Sequence, residues 1–380
     1  MRLCVVQAVL PLYSISFFNQ IVDLHPEIDL IVLADLETPN SLNQYRKDGC
    51  RFQAVHLPNY EWRGVARRPG LLRMLREQEA DVVIFSGYAR DLSQLWAMLA
   101  YRLQGKRFAA WGMFHRIGGP RLVTKLYYRL VGLLADKCLA YTRVGASQLV
   151  NLGIPKRKVA VVGTAIEERV PFAEAQARTP EELLDFRRNQ GLDGRHVILQ
   201  VVRLSRIKRP ELLVKAALAL QRQRDDLLFV LIGDGEMRQE LEAMVVRMGL
   251  QGSFRFLGAI YDEGILSRWY MNAEVFVVPT CIGLGAHHAM SYGLPVVTDD
   301  SLDSQASEFE ILAEGLNSLT YREGDAHDLA RVLDRLVSDQ ALRQTLSVNA
   351  RKTIENTHNL ARKTRNFVVQ ALQLARDPKV

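Results

Sequence analysis

Short apolar runs alternate with amphipathic stretches along most of the chain. The apolar runs are bounded by turn-forming residues, which predicts buried strands. These strands are predicted at Leu3–Val6, Leu30–Ala34, Asp81–Phe85, Phe108–Trp111, Lys137–Tyr141, Val159–Val162, Val197–Val202, Leu228–Ile232, Phe254–Leu257, Val275–Val278 and Val296–Thr298. The amphipathic stretches predict helices at Leu71–Gln78, Arg121–Leu134, Leu212–Gln221, Gln239–Met248 and Leu329–Val337. Repeated strand–helix alternation is typical of α/β proteins whose parallel sheets are covered on both faces.

This alternation is interrupted between residues 166 and 194, where Pro171, Pro180 and many charged residues predict a linker. A chain of 380 residues also exceeds what one hydrophobic core usually supports. We therefore expect an N-terminal domain over residues 1–165, a linker over 166–194 and a second domain over 195–355. Each domain is expected to be doubly wound, and its ligands should bind at the carboxyl ends of the strands.

Cysteine usage and hydropathy indicate a cytoplasmic protein. The four cysteines stand far apart in the sequence, which argues against a disulfide framework or a structural zinc site. The apolar start of the chain is interrupted by Gln7, Pro11 and Ser14, which favours a strand and helix over a signal peptide. We find no apolar run long enough to span a membrane.

Positive charge is concentrated in the first half of the chain. Residues 1–166 carry a net charge of +10 and the remainder −3, which together give +7. No acidic residue occurs between Leu92 and Ala135. Arg121, Lys125 and Arg129 recur within this stretch at helical spacing; Leu122, Leu126, Leu130 and Leu133 form the other face. Either this helix contacts anionic lipid headgroups or a polyprenyl-diphosphate acceptor, or it docks in the core through its leucines. The absence of acidic residues favours contact with anionic lipid headgroups or a polyprenyl-diphosphate acceptor.

Two turns in the second half suit a nucleotide diphosphate. Arg203 and Lys208 follow the Val197–Val202 strand and would bracket an anion near a helix start. About eighty residues later, Gly283-Leu284-Gly285 leads into a helix whose first N–H groups attract phosphate. A further small-residue turn, Gly233-Asp234-Gly235, follows the Leu228–Ile232 strand.

The order of these motifs resembles glycosyltransferase family 4. It consists of Arg-Leu-x3-Lys-x2-Glu-Leu-Leu from Arg203, Ile-Gly-x-Gly from Ile232, Phe-Leu-Gly from Phe256, Pro279-Thr280, and Ala-Met-x2-Gly-x-Pro-Val-Val from Ala289. The resemblance implies a GT-B fold with two Rossmann-like domains facing across a cleft and a C-terminal helix, residues 356–380, returning to the first domain. It also implies a sugar-nucleotide donor, retention of anomeric configuration and no metal. Arg203 and Lys208 match the family's diphosphate-binding pair, and Gly233, Gly235, Gly283, Leu284 and Gly285 match its donor-binding turns.

This chain departs from the family at its two motif glutamates. His288 occupies the position before Ala289-Met290, and Thr280 falls at the earlier glutamate position. The chain resembles a subgroup with histidine there, followed by a Gln-x2-Glu-x-Glu pattern, which here ends at Glu308 and Glu310. We therefore expect Glu308 or Glu310 to contact the donor ribose or sugar, with His288 as a neutral hydrogen-bonding partner. Glu310 as a simple helix cap is an equal alternative.

The first domain is expected to bind the acceptor. Its strand-end loops include Tyr13 and Ser14, Ser86-Gly87-Tyr88, and a loop with His115 and Arg116. Family members often place a histidine near the transferred sugar, and His115 matches it best. The sites predicted for the acceptor are therefore Tyr13, Ser14 and Arg116, with His115, Arg203 and Lys208 in catalysis.

The sequence thus predicts a hexosyltransferase-type glycosyltransferase that acts on a sugar or lipid-linked acceptor in bacterial cell-surface polysaccharide, lipopolysaccharide or glycolipid synthesis. A peripheral position on the inner face of the membrane fits its basic first domain. The alternative is a non-catalytic GT-B relative that binds a nucleotide sugar or an anionic surface. Asp299, Asp300 and Asp303 are expected to be turn carboxylates rather than metal ligands. Nucleic-acid binding is not expected, because the sequence has no recognised nucleic-acid-binding module.

Overall fold

Two parallel sheets, one in each of two units, organise the chain. The computed structural model describes residues 1–37, 49–87, 90–119 and 121–376. The first unit comprises Met1–Glu167 with Leu360–Val380, and the second comprises Glu168–Asn359. Each unit is an α/β structure built around parallel strands, as the alternating pattern predicts.

The first unit contains a seven-stranded sheet in the order β3-β2-β1-β6-β7-β8-β9 and a separate antiparallel pair, β4-β5. Its strands are β1 Arg2–Val9, β2 Asp29–Asp35, β3 Gln53–His56, β4 Tyr60–Trp62, β5 Val65–Arg67, β6 Val82–Ser86, β7 Phe108–Gly112, β8 Lys137–Ala140 and β9 Val159–Val161. Its first helices are α1 Leu12–Leu24, α2 Leu71–Glu77, α3 Leu92–Leu103, α4 Leu122–Leu134 and α5 Arg143–Asn151. The central strands are apolar along their length because both faces of the sheet are covered.

The second unit contains a six-stranded parallel sheet in the order β12-β11-β10-β13-β14-β15. Its strands are β10 His196–Val201, β11 Leu227–Ile232, β12 Phe254–Gly258, β13 Val275–Val277, β14 Val296–Asp299 and β15 Ser318–Tyr321. Its helices are α6 Arg169–Ala177, α7 Pro180–Asn189, α8 Glu211–Leu220, α9 Arg238–Arg247, α10 Glu263–Met271, α11 Gly285–Ser291, α12 Ala326–Ser338 and α13 Gln340–Asn356. The order reverses between β10 and β13, so the loops that follow these two strands are neighbours.

The segment predicted to be a linker is mostly helical. Residues 166–194 include α6 and α7, and Glu168 onward belongs to the second unit. Thr179 and Glu182 form a reciprocal capping box, and Pro180 occupies the start of α7, where its missing N–H costs nothing. Of the two prolines that indicated a break, Pro180 begins α7 and Pro171 lies in the first turn of α6.

Helix α4 does not pack against the core through its leucines, as one of our two interpretations required. Its buried residues are Thr124, Tyr127, Tyr128, Val131 and Gly132. The leucines at 122, 126, 130 and 133 are exposed, as are the basic residues between them. Docking of the leucines in the core is therefore wrong. Two apolar faces share the helical period, and periodicity alone cannot choose between them.

A last helix, α14 Leu360–Arg376, belongs to the first unit; the sequence predicted a returning C-terminal helix over residues 356–380. The ring of Phe367 lies 4.8 Å from that of Trp111 and 5.3 Å from that of Phe17, measured between centroids. The buried hydroxyl of Thr364 donates a 2.7 Å hydrogen bond to the side-chain oxygen of Gln20. Of the helices described, none is long and apolar enough to cross a bilayer.

Candidate functional site

The loop after β10 carries the two predicted diphosphate ligands. Arg203 is exposed directly beyond the strand, and Lys208 ends the short 3-10 helix Arg206–Lys208. The Lys208 ammonium group donates a hydrogen bond to the carbonyl oxygen of Cys281, in the loop after β13. The structure therefore brings Lys208 to the glycine turn from a position 73 residues away in sequence.

The glycine turn lies close against this basic loop. A Cβ atom on Gly283 would lie 3.4 Å from the Lys208 Nζ atom. A Cβ atom on Gly285 would lie 2.9 Å from the Phe276 ring and 3.2 Å from the carbonyl oxygen of Val201. Glycine at position 285 thus allows the start of α11 to approach the end of β10.

Gly233 and Gly235 stand where the loop after β11 approaches the loop after β10. Their φ angles are 140° and 157°, which side chains rarely adopt. Added Cβ atoms would lie 2.0 Å from the Val202 carbonyl oxygen and 2.3 Å from that of Leu204. Both glycines are therefore required by close backbone approach. Their predicted donor contact is a separate matter and stays a prediction.

A buried glutamine, Gln305, holds the glycine turn in place. It was not among the predicted site residues. Gln305 accepts a 2.7 Å hydrogen bond from the Ile282 N–H group. Its amide nitrogen donates to the Thr298 hydroxyl and the Asp299 carboxylate, both at 2.9 Å. Gln305 thereby joins the turn after β13 to the end of β14. Gln305 is the first residue of the Gln-x2-Glu-x-Glu pattern, and this position was the sequence signal that could have identified it.

Glu308 and Glu310 lie in the 3-10 helix Ser307–Ile311, which follows Gln305. Glu308 is buried and accepts a 3.0 Å hydrogen bond from the Ser307 hydroxyl. Glu310 is half-buried. Burial raises the pKa of the Cys281 thiol, which lies beside the glycine turn. The charge of Lys208 lowers this pKa and the charge of Glu308 raises it, so Glu308 lies close to Cys281.

His288 belongs to a cluster of aromatic and acidic side chains. Its Nε2 atom lies 2.7 Å from the Glu263 carboxylate, to which the Tyr292 hydroxyl also donates at 2.5 Å. The His288 ring stacks on Tyr270 at a centroid distance of 4.8 Å. Burial would raise the pKa of Glu263, but the hydrogen bonds from His288 and Tyr292 and the charge of His288 hold it below its ordinary value.

His287 points away from this cluster and is buried, with its Nε2 atom 2.6 Å from the His358 carbonyl oxygen. It therefore packs within the second unit. The predicted contact of His288 with a donor stays a prediction.

Of the three aspartates at and after the end of β14, Asp299 and Asp300 have hydrogen-bond partners, and Asp303 is exposed. Asp299 is buried and accepts hydrogen bonds from Ser304 and Gln305, both at 2.9 Å. Burial raises the pKa of the Asp299 carboxyl. Asp300 accepts a 3.1 Å hydrogen bond from the Glu323 N–H group. Across the described part of the chain, no group of three or more histidine, cysteine or acidic side chains is arranged to hold a metal ion.

The first unit contains a pocket of about 420 Å³ at the carboxyl ends of β1, β6 and β7. Its lining includes His115 and Arg116, two of the predicted site residues, together with Arg90, Thr124 and Tyr128. His115 is buried, and its Nδ1 atom lies 3.1 Å from the Gln148 amide nitrogen. Arg116 donates a 2.8 Å hydrogen bond to the Gly119 carbonyl oxygen.

A buried ion pair supports this pocket. The Arg68 guanidinium lies 2.7 Å from the Asp91 carboxylate, and neither side chain is exposed. Arg68 also donates a 2.6 Å hydrogen bond to the carbonyl oxygen of Gln7, which lines the pocket. Gln94 donates to Asp91 and accepts from the N–H group of Ser86, another lining residue. Arg68 is far from both Asp91 and Gln7 along the chain, so no spacing rule predicted the pair.

Two of the predicted acceptor residues are not part of that lining. Tyr13 is exposed on α1, and the Ser14 hydroxyl donates a 2.7 Å hydrogen bond to the Pro11 carbonyl oxygen at the start of the same helix. Tyr88, from the Ser86-Gly87-Tyr88 loop, lies outside the described residues. Two of the loops expected to bind an acceptor contribute to the pocket. One carries His115 and Arg116, and the other contributes Ser86 and Gly87.

Comparison with known proteins identifies the class. Residues 184–353 match the family described as glycosyl transferases group 1, and residues 24–165 match the glycosyl transferase 4-like domain. Taken together, these matches cover most of the chain, including every strand of both sheets except β1. The chain therefore belongs to the GT-B glycosyltransferases of the family 4 type.

Among curated relatives, an uncharacterized glycosyltransferase of Methanocaldococcus jannaschii is 30% identical over 201 residues, covering 51% of this chain and 50% of that protein. The alpha-D-kanosaminyltransferase of Streptomyces kanamyceticus is 26% identical over 200 residues, with 52% and 50% covered. The chain thus spans about half the length of these relatives. The crystal structure of Anabaena Alr3699/HepE in complex with UDP has a TM-score of 0.77 at 15% identity, covering 98% of this chain and 99% of that one. This likeness confirms the GT-B fold.

Proposed function

We propose that this chain transfers a hexose from a nucleotide-diphosphate sugar to an acceptor hydroxyl. The observation that carries the proposal is the meeting of two loops at the carboxyl ends of the adjacent strands β10 and β13. There Lys208 lies against the Gly283 turn, and Arg203 follows β10 in the same loop. Ligands of doubly wound sheets bind at such positions, and cations beside open backbone suit a diphosphate.

In this proposal Arg203 and Lys208 stabilise the charge that grows on the departing nucleoside diphosphate. The groups are held in place before the reaction, so the stabilisation is electrostatic preorganisation. No metal is needed, because the two cations supply the positive charge. The acceptor hydroxyl attacks from the face that the leaving group vacates, which retains the anomeric configuration. Support for retention comes from the family resemblance.

The remaining donor contacts are assigned to the same face of the second unit. The turns at Gly233, Gly235 and Gly283–Gly285 surround the diphosphate, and Glu308 or Glu310 contacts the ribose or sugar. His288 takes part through its hydrogen-bonded cluster with Glu263. The UDP complex of Anabaena HepE makes UDP the first nucleotide to test.

The acceptor is assigned to the pocket of the first unit, with His115 close to the transferred sugar and Arg116 beside it. We propose that the reaction takes place on the cytoplasmic side of a bacterial membrane, in the synthesis of a surface polysaccharide, lipopolysaccharide or glycolipid. The excess positive charge of residues 1–166 supports this setting.

The test compares the double variant Arg203→Ala/Lys208→Ala with Arg206→Ala, a control in the same loop whose guanidinium pairs with Glu240 at the surface. Nucleoside diphosphate release is measured across uridine, guanosine and adenosine diphosphate sugars with added acceptors. Each lost contact to a charged group costs about 1.5–3 kcal/mol, so turnover should fall by roughly 10²–10⁴-fold in the double variant. Arg206→Ala should keep nearly full turnover. Equal turnover in the two variants, with both folded, would contradict the proposal.

A non-catalytic role in binding a nucleotide sugar is the second candidate. The replacement of both motif glutamates, by Thr280 and by a His288 that is hydrogen-bonded to Glu263, favours it. Calorimetric binding of UDP that depends on Lys208, without release of nucleoside diphosphate from any donor in the panel, would decide for this alternative.

A further inference from the structure

A row of large apolar side chains covers the outer face of two neighbouring helices in the first unit. We call it the leucine face; it consists of Leu92, Trp96, Leu99 and Leu103 on α3 and Leu122, Val123, Leu126, Leu130 and Leu133 on α4. Their exposed fractions run from 37% to 80%. The spacing of three and four residues places each row on one side of its helix.

The leucine face is not needed to hold these helices in place. Helix α3 packs on the sheet through its opposite side, which includes Ala97, Met98 and Tyr101. Helix α4 packs through Tyr127, Tyr128 and Val131. The Tyr127 hydroxyl donates a hydrogen bond to the Asp91 carbonyl oxygen at the start of α3, so the two helices are directly joined. The exposed rows are therefore an additional apolar surface on helices already docked.

The described helices of the second unit have no comparable row. In the second unit, exposed large apolar side chains occur singly or in pairs on each element, for example Leu218 on α8 and Val246 on α9. Single exposed apolar residues are normal, whereas a contiguous group marks a surface that binds something.

Charge indicates what that partner is. Arg121, Lys125 and Arg129 are exposed on α4 among its leucines, and Arg102 is exposed on α3. From Leu92 to Ala135 the sequence has no acidic residue. Apolar side chains with a basic border suit a membrane surface whose headgroups are anionic, since leucine and tryptophan enter the interface while arginine and lysine meet phosphates.

We propose that the leucine face docks the protein on anionic lipid bilayers, and this inference deepens the proposed function by naming its membrane-binding surface. Thr124 and Tyr128, on the buried side of α4, line the 420 Å³ pocket that also holds His115. Docking through α4 would therefore bring the pocket near the headgroups. The acceptor class that fits this arrangement is one carried by a lipid.

The primary test uses the full chain and vesicles of phosphatidylcholine with about one third phosphatidylglycerol, in cosedimentation across salt concentrations. We expect binding to the anionic vesicles and weak binding to pure phosphatidylcholine. Leu122→Ser/Leu126→Ser should weaken binding by roughly a hundredfold or more, since both leucines lose their burial in the membrane interface. The matched control is Leu218→Ser/Val246→Ser, which removes two exposed apolar residues of the second unit and should bind as the unaltered protein does.

A charge test separates the two parts of the surface. Arg121→Gln/Lys125→Gln/Arg129→Gln should remove most of the preference for anionic lipid, because these basic side chains would no longer meet anionic headgroups. Lys215→Gln/Arg222→Gln/Lys352→Gln removes the same charge from exposed positions of the second unit and should leave that preference intact.

Tryptophan fluorescence gives a second readout with its own control. Trp96 and Trp62 are both 71% exposed, but only Trp96 lies on the leucine face. Anionic vesicles should shift the emission to shorter wavelength, and the shift should be lost in Trp96→Phe and retained in Trp62→Phe. A shift lost only in Trp62→Phe would overturn the assignment of the surface.

Several outcomes overturn the proposal: no binding of the unaltered chain to anionic vesicles, equal loss in leucine-face and control variants, or a dimer in solution that Leu122→Ser/Leu126→Ser dissociates. The last result would make the leucine face an interface between copies of this chain. Vesicle binding without any nucleoside diphosphate release would leave docking intact and reject the proposed function. Turnover on a soluble acceptor without vesicle binding would do the reverse.

Discussion

The two units place their predicted site residues near the carboxyl ends of parallel strands by different means. In the second unit, turns approach each other so closely that only glycine fits, as at Gly233 and Gly235. In the first unit, the pocket is supported by buried side chains, chiefly the Arg68–Asp91 pair and Gln94. A site built from turns can be predicted from short sequence motifs. A site supported by buried side chains depends on residues that are distant in sequence and meet only in the folded chain.

The sharpest way to break this comparison is to remove the buried cation. Arg68→Met leaves the Asp91 carboxylate buried without its ion-pair partner, which should lower the stability of the first unit by about 3–5 kcal/mol. Peptide-resolved hydrogen exchange should show the loss in β6 and α3 and little change in the second unit. Arg102→Met is the control, because its ion pair with Asp136 is exposed and should contribute less than about 1 kcal/mol. Similar losses in both variants would show that burial of the pair does not matter.

The next test addresses the turns of the second unit. Gly233→Ala forces a Cβ atom against the Val202 carbonyl oxygen at a φ angle that alanine avoids, so it should cost about 2 kcal/mol or more. The midpoint of chemical unfolding measures the loss. At Gly252 a Cβ atom would have no neighbour within 4 Å, and Gly252→Ala should change the midpoint little. If both variants unfold alike, close approach is not what selects glycine at position 233.

A third test concerns the two faces of α4. Val131 is buried and Leu126 is exposed. Val131→Ala should destabilise the first unit by about 1–2 kcal/mol, since it removes buried methyl groups. Leu126→Ala should change the stability by no more than about 0.5 kcal/mol, as is usual at the surface. Thermal unfolding of the two variants would show whether the exposed leucines contribute to stability. A larger loss of stability in Leu126→Ala than in Val131→Ala would show that the leucines pack in the core.

The smallest expected effect is a pH dependence in the second unit. The pKa of Glu263 is below its ordinary value of 4.5 in the folded chain, so its contribution to stability is complete above that pH and is lost as pH falls through the lowered pKa. Unfolding midpoints measured from pH 6 to pH 3 should decline less steeply in Glu263→Gln than in the unaltered chain. Parallel declines would exclude a contribution from this carboxylate.

The sequence predicted the central strands of both sheets because buried parallel strands are short and apolar, as β6 and β11 are. It missed the edge strands β3 and β15, which mix polar and apolar residues. It also predicted the order of the motifs that approach each other at Lys208 and Gly283. It missed the helices of the supposed linker, although the capping box at Thr179 was visible in the sequence. It could not choose between the two faces of α4, because both are apolar at the same period.

The pocket of the first unit was only partly predictable. His115 and Arg116 follow a predicted strand directly, so their place was accessible from the local pattern. Arg68 and Gln7 are 61 residues apart, and no spacing rule links them. The role of Gln305 in holding the glycine turn likewise depends on contact with Ile282, 23 residues earlier.

The way α14 completes the first unit has a consequence for biosynthesis. Phe367 fills the space beside Phe17 and Trp111, and Thr364 bonds to Gln20 across a separation of 344 residues. During translation, the aromatic surface formed by Phe17 and Trp111 stays uncovered until α14 has been synthesised and leaves the ribosome. The second unit is continuous in sequence and can fold meanwhile. The nascent chain is therefore most exposed to aggregation, and most in need of a chaperone, through the part of it that is made first.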